Sequence, residues 1–238
     1  MAGRGWRGAA APALLLALAT VAAGCGLAGP SFSTDGPCVV DGRAPGAYPD
    51  LEAEIPGMIS GRAATSVDSG RNCSDKALGW FSSNHDVHEL HFAGATWDEG
   101  NGSGVSIAVL ALPDKALPAT WAEEFYLAGA NAGKHTGNIE VSHPTYPGAG
   151  TVYRLDTLND LSFQTVVVWP DGPLARVVIV ATQVGPTASK TVHDGRVAEA
   201  VGAAVLASEP GGASPAPTAL PTPVASPAPS EPVLPSPT

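Results

Sequence analysis

Three histidines lie close together in the segment HDVHELH, residues 85–91. His85, His88 and His91 stand three residues apart, and Asp86 and Glu89 lie between them. Neutral imidazole is the commonest protein ligand for metal ions such as Zn²⁺, and a carboxylate can complete its shell. The segment therefore allows the hypothesis of a zinc site, in a metal-binding protein or a metal-dependent enzyme.

The same spacing limits that hypothesis. On a helix, residues three apart share a face only roughly, and on a strand His88 and His91 point to opposite faces. We expect a helix to end and a strand to begin within this segment, so at most two rings converge without a bend at Asp86 and Val87. The alternative is a polar connector whose histidines face solvent, in a protein without a cofactor.

Other residues that could carry chemistry lack the surroundings that catalysis needs. The glycine-rich segment at 100–104 resembles a phosphate loop, but a strand follows it where such a loop needs a helix, so it predicts a hairpin turn. Arg154, Asp156 and Asp160 lie in RLDTLND, which predicts a salt-bridged hairpin more than a ligand site. We recognise no catalytic constellation and predict that the protein is not an enzyme.

The N-terminus has the pattern of an export signal. Arg4 and Arg7 precede an unbroken run of small and apolar residues from 9 to 23. This order is typical of a secretory signal peptide. The run has about 15 residues, fewer than the ~20 that a membrane-spanning helix needs.

The residues Ala22-Ala23-Gly24-Cys25 resemble the lipobox of bacterial lipoproteins. The resemblance covers only this region, and it implies that the Cys25 thiol is diacylated after residues 1–24 are removed. Two acyl chains anchor a protein stably to a membrane. An ordinary secretory signal with a nearby cysteine is the alternative.

The remaining cysteines, Cys38 and Cys73, form an even pair if Cys25 carries lipid. An exported protein favours disulfides, so we predict that they are bonded. The bond would close a loop of about 35 residues, which stabilises the fold by about 3–4 kcal/mol in the loop-entropy model. Two buried free thiols are the alternative.

Composition narrows the class of protein. The 238 residues include 28 glycines and 23 prolines, only 14% are charged, and the net charge is -10. This favours a β-rich domain with many loops. Nucleic-acid binding needs clustered Lys and Arg, which the chain lacks, so we exclude nucleic acid as a partner. Residues 208–238 are rich in Pro, Ala and Ser and predict an extended, disordered tail.

Between the two ends, hydrophobic patterns predict one α+β domain at 46–207, preceded by a tether at 25–45. Predicted strands cover 58–67, 88–97, 105–112, 138–143, 151–156, 161–169 and 174–181, and predicted helices cover 74–83, 118–132 and 194–206. Short turns favour a mostly antiparallel sheet of about six or seven strands, with three helices largely on one face. The apolar runs QTVVVW and RVVIVA indicate interior strands covered on at least part of both faces.

The predicted helices carry further signals. Ser74 is expected to cap the first helix, and Thr120 with Glu123 resembles a capping box at the start of the second. Apolar stripes are expected on the second helix at Trp121, Phe125, Ala128 and Ala132, and on the third at Val197, Ala200, Val201, Ala204 and Val205.

These patterns lead to a prediction of class and location. The protein is expected outside the cytoplasm, anchored to the bacterial cell membrane by lipid on Cys25. Its domain is expected to bind a small or apolar ligand, or another envelope protein, without catalysis. If the sheet has an open face, Trp80, Trp97, Trp121 and Trp169 could line a groove there. A purely structural lipoprotein is the second hypothesis, and the metal site at 85–91 is the third.

Overall fold

The computed structural model describes residues 32–159, 162–185 and 189–208. The helices are α1 (Pro49–Glu52), α2 (Asp75–Leu78), α3 (Trp80–His85), α4 (Ala119–Ala132) and α5 (Lys190–Ser208). The strands are β1 (Gly42–Ala44), β2 (Met58–Ile59), β3 (Arg62–Ala63), β4 (Ser66–Asn72), β5 (Leu90–Gly100), β6 (Ser103–Ala111), β7 (Gly137–Ser142), β8 (Thr145–Tyr146), β9 (Gly150–Thr151), β10 (Tyr153–Leu158), β11 (Ser162–Asp171) and β12 (Leu174–Gln183).

Eight of these strands form one sheet in the order β1-β4-β5-β6-β12-β11-β10-β7, and every neighbouring pair is antiparallel. Tight turns explain this pattern. Asn101 and Gly102, with φ of 53° and 73°, join β5 to β6, and the left-handed backbone favours these residue types. The predicted α+β class and the antiparallel sheet are confirmed, with eight strands in place of six or seven.

The prediction that the helices lie largely on one face is wrong. Alternate side chains of β11 enter two separate cores: Val166 and Val168 pack on the side of α4, whereas Val167 and Trp169 pack on the side of α5. A strand that is apolar at every position needs cover on both faces. The sheet is therefore the middle of three layers, with α5 and α1 on one side and α2 to α4 on the other.

The two long helices test the predicted apolar stripes. In α5 the stripe is confirmed, because all its members are buried: Val197, Ala200, Val201, Ala204 and Val205. In α4 the predicted stripe of Trp121, Phe125, Ala128 and Ala132 is wrong. The buried residues are Ala119, Ala122, Tyr126 and Ala130.

Helix α4 is turned about its axis relative to the prediction, and packing explains why. Small alanines let the helix approach the sheet closely, while Trp121 and Phe125 face α3. Phe125 stacks on Phe81 with ring centroids 5.2 Å apart. The predicted capping box at Thr120 is also wrong, because the N-cap is Pro118 and no side chain caps this end.

The helix predicted at 74–83 begins where expected but is interrupted at Gly79. Ser74 is the N-cap, as predicted, and its hydroxyl accepts a hydrogen bond from the backbone N–H of Ala77. Gly79, with φ of 51°, divides the predicted helix into α2 and α3. The predicted strand at 58–67 is likewise wrong in extent, because a left-handed turn at Ser60 and Gly61 folds its first part into the β2–β3 hairpin.

Part of the predicted tether belongs to the sheet. Residues 42–44 form β1, which pairs with β4 at the edge of the sheet. Cys38 and Cys73 form the predicted disulfide, with Cα atoms 5.6 Å apart. Cys25, the signal peptide and residues 209–238 of the tail lie outside the described residues.

Candidate functional site

The three clustered histidines occupy different surroundings. His85 ends α3, where its Nε2 lies 2.7 Å from a carboxylate oxygen of Glu124. Its ring stacks on Trp121, with centroids 4.2 Å apart and planes 8° apart. The hydrogen bonds from Trp80 and His85 hold the pKa of the Glu124 carboxyl below its usual value. His85 is therefore part of the contact between α3 and α4.

His88 and His91 lie elsewhere. The side chain of His88 is 79% exposed and lies near Asp86, which has the left-handed backbone that bends the chain here. His91 points to the α5 side of β5, stacks on Tyr48 and contacts Glu89 at 2.8 Å. Among residues 32–159, 162–185 and 189–208, no group of three or more His, Cys, Asp or Glu side chains could hold a metal ion. The structure does not bring the three rings together.

The tryptophans do not line a groove. Trp97 and Trp169 are buried in the core under α5. Trp80 is 39% exposed, and Trp121 lies between the His85 ring and the Lys115 ammonium at the outer surface of the helices. The hypothesis of an aromatic floor is therefore wrong for these residues.

A groove lies on the sheet at a place that none of the helices α1 to α5 covers. Helices α2 to α4 cover one end of the central strands, where Leu90, Phe92 and Leu110 are buried. Toward the other end of β5 and β6 the same face opens into a cavity of about 550 Å³. Its lining is Arg43, Ala44, Pro45, Thr65, Ser66, Asp68, Gly94, Ala95, Thr96, Asp98, Ser106, Ile107, Ala108, Val177 and Ile179. We call this cavity the sheet groove.

Small side chains create the volume of the sheet groove. Gly94 and Thr96 of β5 lie beside Ala108 and Ser106 of β6, paired directly across the two strands. A strand face normally carries larger residues where a helix packs on it. Here the four positions hold Gly, Thr, Ser and Ala. The floor of the groove is therefore flat, and the small side chains leave room above it.

The sheet groove combines an apolar floor with a few polar groups. The hydroxyl groups of Thr96 and Ser106 lie 3.3 Å apart and hydrogen bond to each other. At the rim, Arg43 and Asp68 form an ion pair at 3.5 Å, and each side chain is 30% exposed. Burial raises the pKa of the Asp68 carboxyl, and the Arg43 guanidinium opposes this rise. An apolar surface with convergent polar groups is typical of small-molecule sites.

A signal for the sheet groove was present in the sequence. In HFAGATWD, residues 91–98, the odd positions after His91 are Ala93, Ala95 and Trp97, which all enter the α5-side core. The even positions beyond Phe92 are glycine, threonine and aspartate. A strand that is apolar on one face and small and polar on the other indicates one covered and one open face.

A second group of polar side chains is buried beneath α5. His193 is fully buried, with Nε2 at 2.7 Å from the Thr165 hydroxyl and Nδ1 at 2.9 Å from the Thr182 hydroxyl. The Thr165 hydroxyl also contacts Asp156, which gives a chain of carboxylate, hydroxyl and imidazole. Because Thr165 and His193 are inaccessible to solvent, no substrate reaches this hydrogen-bonded group. Its role is to join α5 to the sheet.

The charges around RLDTLND are paired, as predicted for a salt-bridged hairpin. The Arg154 guanidinium donates to both carboxylate oxygens of Asp156 at 2.7 and 2.8 Å, and it also binds Asp194 of α5. These contacts tie the helix to β10. Asp160 lies outside the described residues.

Comparison with protein-family models, curated protein sequences and solved structures finds no match to this chain. None of the helices in the described residues combines the length and hydropathy needed to cross a membrane.

Proposed function

We propose that this chain is an exported bacterial lipoprotein whose α+β domain binds a small ligand in the sheet groove without chemical conversion. The observation that carries the proposal is the cavity of about 550 Å³ over β4, β5, β6 and β12. Ligand sites of small molecules commonly have volumes of about 300–1,000 Å³. A structural lipoprotein without a ligand needs no such opening over its central strands.

Two features support export and anchoring. The Ala22-Ala23-Gly24-Cys25 segment resembles a lipobox, and the run before it resembles a signal peptide. The disulfide between Cys38 and Cys73 is a kind of bond that persists in oxidising compartments outside the cytoplasm. The lipid on Cys25 would hold the domain at the membrane surface, through the tether that begins at Cys25.

The lining indicates the chemistry of the ligand. Alanine, valine and isoleucine side chains on the floor favour contact with an apolar surface. Thr96 and Ser106 offer hydroxyl groups, and the Arg43–Asp68 pair offers a donor and an acceptor at the rim. Arg43 and Asp68 pair at the rim, and the Asp98 carboxylate also lines the groove and accepts from the Gly100 N–H. These charges disfavour an anion and favour a neutral ligand, with one apolar face and a few hydrogen-bonding groups. Binding suits this site because its two hydroxyls bond to each other, and a catalytic hydroxyl needs an adjacent base.

Blocking the sheet groove should abolish ligand binding. Ser106→Phe places an aromatic ring over the floor, where it competes for the ligand's space. We expect the purified full chain to bind about one equivalent of Nile red, a neutral apolar dye, and the variant to bind it at least about tenfold more weakly, a loss of ~1.4 kcal/mol. Dye fluorescence titration measures the affinity.

A matched variant makes this result specific. Ser83→Phe introduces the same ring at an exposed position of α3, away from the sheet groove. It should bind the dye as the unaltered chain does. Equal binding by the Ser106→Phe and Ser83→Phe variants would contradict the proposal, and native mass spectrometry showing no co-purified small molecule would favour the structural alternative.

Replacing Cys25 by serine should remove the anchor. Cys25→Ser deletes the thiol that carries the acyl chains, so the protein should lose all fatty-acid labelling and leave the membrane fraction without detergent. The control is the double variant Cys38→Ser/Cys73→Ser, which removes the disulfide and should keep the label. Persistence of labelling in Cys25→Ser would show that this residue is not the lipid site.

A further inference from the structure

The two edges of the eight-stranded sheet differ in how they are protected. An unpaired edge strand is a template for another strand, and proteins commonly block it by short length, charge or proline. The β1 edge has three residues, contains Arg43 and is followed directly by Pro45. The opposite edge, β7, has six residues and contains no Lys, Arg or Pro, and its one charge is Glu140. Its pairing with β10 is irregular at Asn138, where φ is 48°, so the regular part of this edge is 139–142. Within the described residues, only β10 pairs with β7.

The side chains of β7 alternate in a way that suits an added strand. Val141 pairs with Leu155, whose side chain lies in the α4-side core, so Val141 and Ile139 extend that apolar face beyond the helix. Ile139 is 37% exposed and Val141 is 41% exposed. Glu140 pairs with Asp156 and so faces the α5 side. The edge therefore presents an apolar pair on one face and a negative charge between them on the other.

Charge decides between the candidate occupants of this edge. If a second copy paired Ile139 with Val141 about a two-fold axis, Glu140 would lie directly opposite Glu140, and like charges opposite each other destabilise a sheet. Each copy also carries a net charge of -10. A strand with a basic residue opposite Glu140 makes an attractive pair instead. No ion pair to Glu140 is present among the described residues, so its charge is open to such a partner.

We propose that β7 is a docking edge for an extended segment of another protein, in which a basic residue stands between two apolar residues. The backbone of the segment pairs with the outer edge of β7 as a ninth strand. Its apolar side chains pack beside Ile139 and Val141 on the α4 side, and its basic side chain lies against Glu140. Main-chain hydrogen bonds supply affinity and the alternating side chains supply specificity, as in other cases of strand addition. This surface is separate from the sheet groove and does not rest on the proposed ligand.

A pair of blocked peptides tests the proposal on the purified full chain. Acetyl-Ser-Thr-Val-Lys-Val-Thr-Ser-amide should shift the amide resonances of residues 137–142 in nitrogen-15 NMR spectra. The peptide with Glu in place of Lys should bind about fivefold more weakly, because a cross-strand charge pair contributes up to ~1 kcal/mol. Glu140→Lys should reverse this preference. Glu199→Lys makes the same change of net charge on the exposed side of α5 and should leave the preference unaltered.

Further measurements separate strand pairing from other contacts. Methylating alternate backbone nitrogens of the Lys peptide removes donors that a ninth strand needs, and it should abolish the shifts at β7. Ile139→Lys/Val141→Lys should also abolish binding, whereas Val192→Lys/Leu206→Lys, at two exposed apolar residues of α5, should not.

Several results would overturn the proposal. One is equal binding of the Lys and Glu peptides, or of the methylated peptide. Another is a concentration-dependent dimer in sedimentation that Ile139→Lys/Val141→Lys removes, because the edge would then belong to a second copy. A third is peptide binding that appears only after deletion of residues 209–238, because the chain's own tail would then occupy β7.

Discussion

Asp171→Ala should lower the free energy of unfolding by about 3 kcal/mol, as is usual when a buried charge loses a partner. The charge in question is Arg176, whose side chain is fully inaccessible to solvent. Its guanidinium donates to Asp171 from Nε at 2.9 Å and from Nη2 at 2.6 Å. Without that carboxylate the cation keeps one partner among the described residues, Glu54, which accepts through a side-chain oxygen at 2.9 Å and the backbone carbonyl at 2.6 Å.

Two further variants identify the cause of this loss. Asp171→Ala/Arg176→Met removes the stranded charge together with its partner, and it should recover at least half of the lost stability, because apolar replacement of a buried pair is often tolerated. Asp114→Ala removes an exposed carboxylate in the segment before α4 and should change stability by no more than about 0.5 kcal/mol. Urea unfolding gives all four values. A cost below ~1 kcal/mol for Asp171→Ala would mean that water or Glu54 replaces the lost partner.

Local patterns predicted the parts of the fold whose contacts are local or strongly periodic. The meander of β7, β10, β11 and β12 follows from short turns and alternating runs, although the separate β8–β9 hairpin between β7 and β10 was not predicted. Helix α5 follows from its stripe of valine and alanine. The disulfide was predicted by counting: once Cys25 is assigned to lipid, only Cys38 and Cys73 remain. None of these inferences needs to know which elements pack together.

The orientation of α4 and the partners of Arg176 depend on contacts between layers of the fold, which a hydrophobic pattern does not reveal. The orientation of α4 depends on the neighbouring α3. Trp121 and Phe125 are partly buried at the contact with α3, and the residues buried toward the sheet are Ala119, Ala122, Tyr126 and Ala130. The contact between Arg176 and Glu54 joins residues separated by 122 positions in the chain. The sequence around Arg176 does not indicate this partner. Glu54 reaches Arg176 because the end of α1 packs against β12.

The candidate sites divide in the same way. The histidines of 85–91 suggest a metal site by their spacing, but the three rings lie in different surroundings. The His85 ring contacts α4, the His91 ring contacts Tyr48 before α1, and the His88 ring is largely exposed. The alternation at 91–98 indicates an open face on β5, but by itself it does not show that this face forms a groove. The existence of the sheet groove depends on where the helices end, which places Gly94 and Ala108 beyond their reach.

Acidification from pH 7 to pH 4 should destabilise the domain by up to about 3 kcal/mol through His193 alone. Burial, aided by the Lys190 ammonium, lowers the pKa of this imidazole to about 4 from the 6.5 of a free side chain. In this interval the unfolded chain binds a proton that the folded domain excludes, so a fall in pH favours unfolding. Each unit of difference in pKa corresponds to ~1.4 kcal/mol.

Carboxylates elsewhere in the domain also titrate, but their effects can be separated from that of His193. Some titrate at lower pH, and the others contribute equally to a His193 variant and its parent. Burial tends to raise the pKa of Asp156, but hydrogen bonds from Arg154 and Thr165 hold it below its usual value. Its contribution is therefore lost as the pH falls toward and below 3.8, the ordinary pKa of an aspartate, near the lower end of this interval. The same holds for Asp194, whose pKa is also lowered. Asp68 and Glu123 have pKa values raised mainly by burial, and they give the opposite slope. Both remain in a His193 variant, so the difference between variant and parent isolates the imidazole.

His193→Gln provides that comparison, because an amide can still donate to one threonine hydroxyl and accept from the other but does not titrate. The variant should lose some stability at pH 7, where the imidazole fits its site, and its stability should fall less between pH 7 and pH 4. His88→Gln makes the same change at an exposed position and should keep the full slope of the parent chain. Urea unfolding at pH 7, 5.5 and 4 measures the three profiles. Parallel profiles for His193→Gln and the parent would show that the imidazole already titrates as it does in water, and that the chain from Asp156 through Thr165 does not hold it neutral.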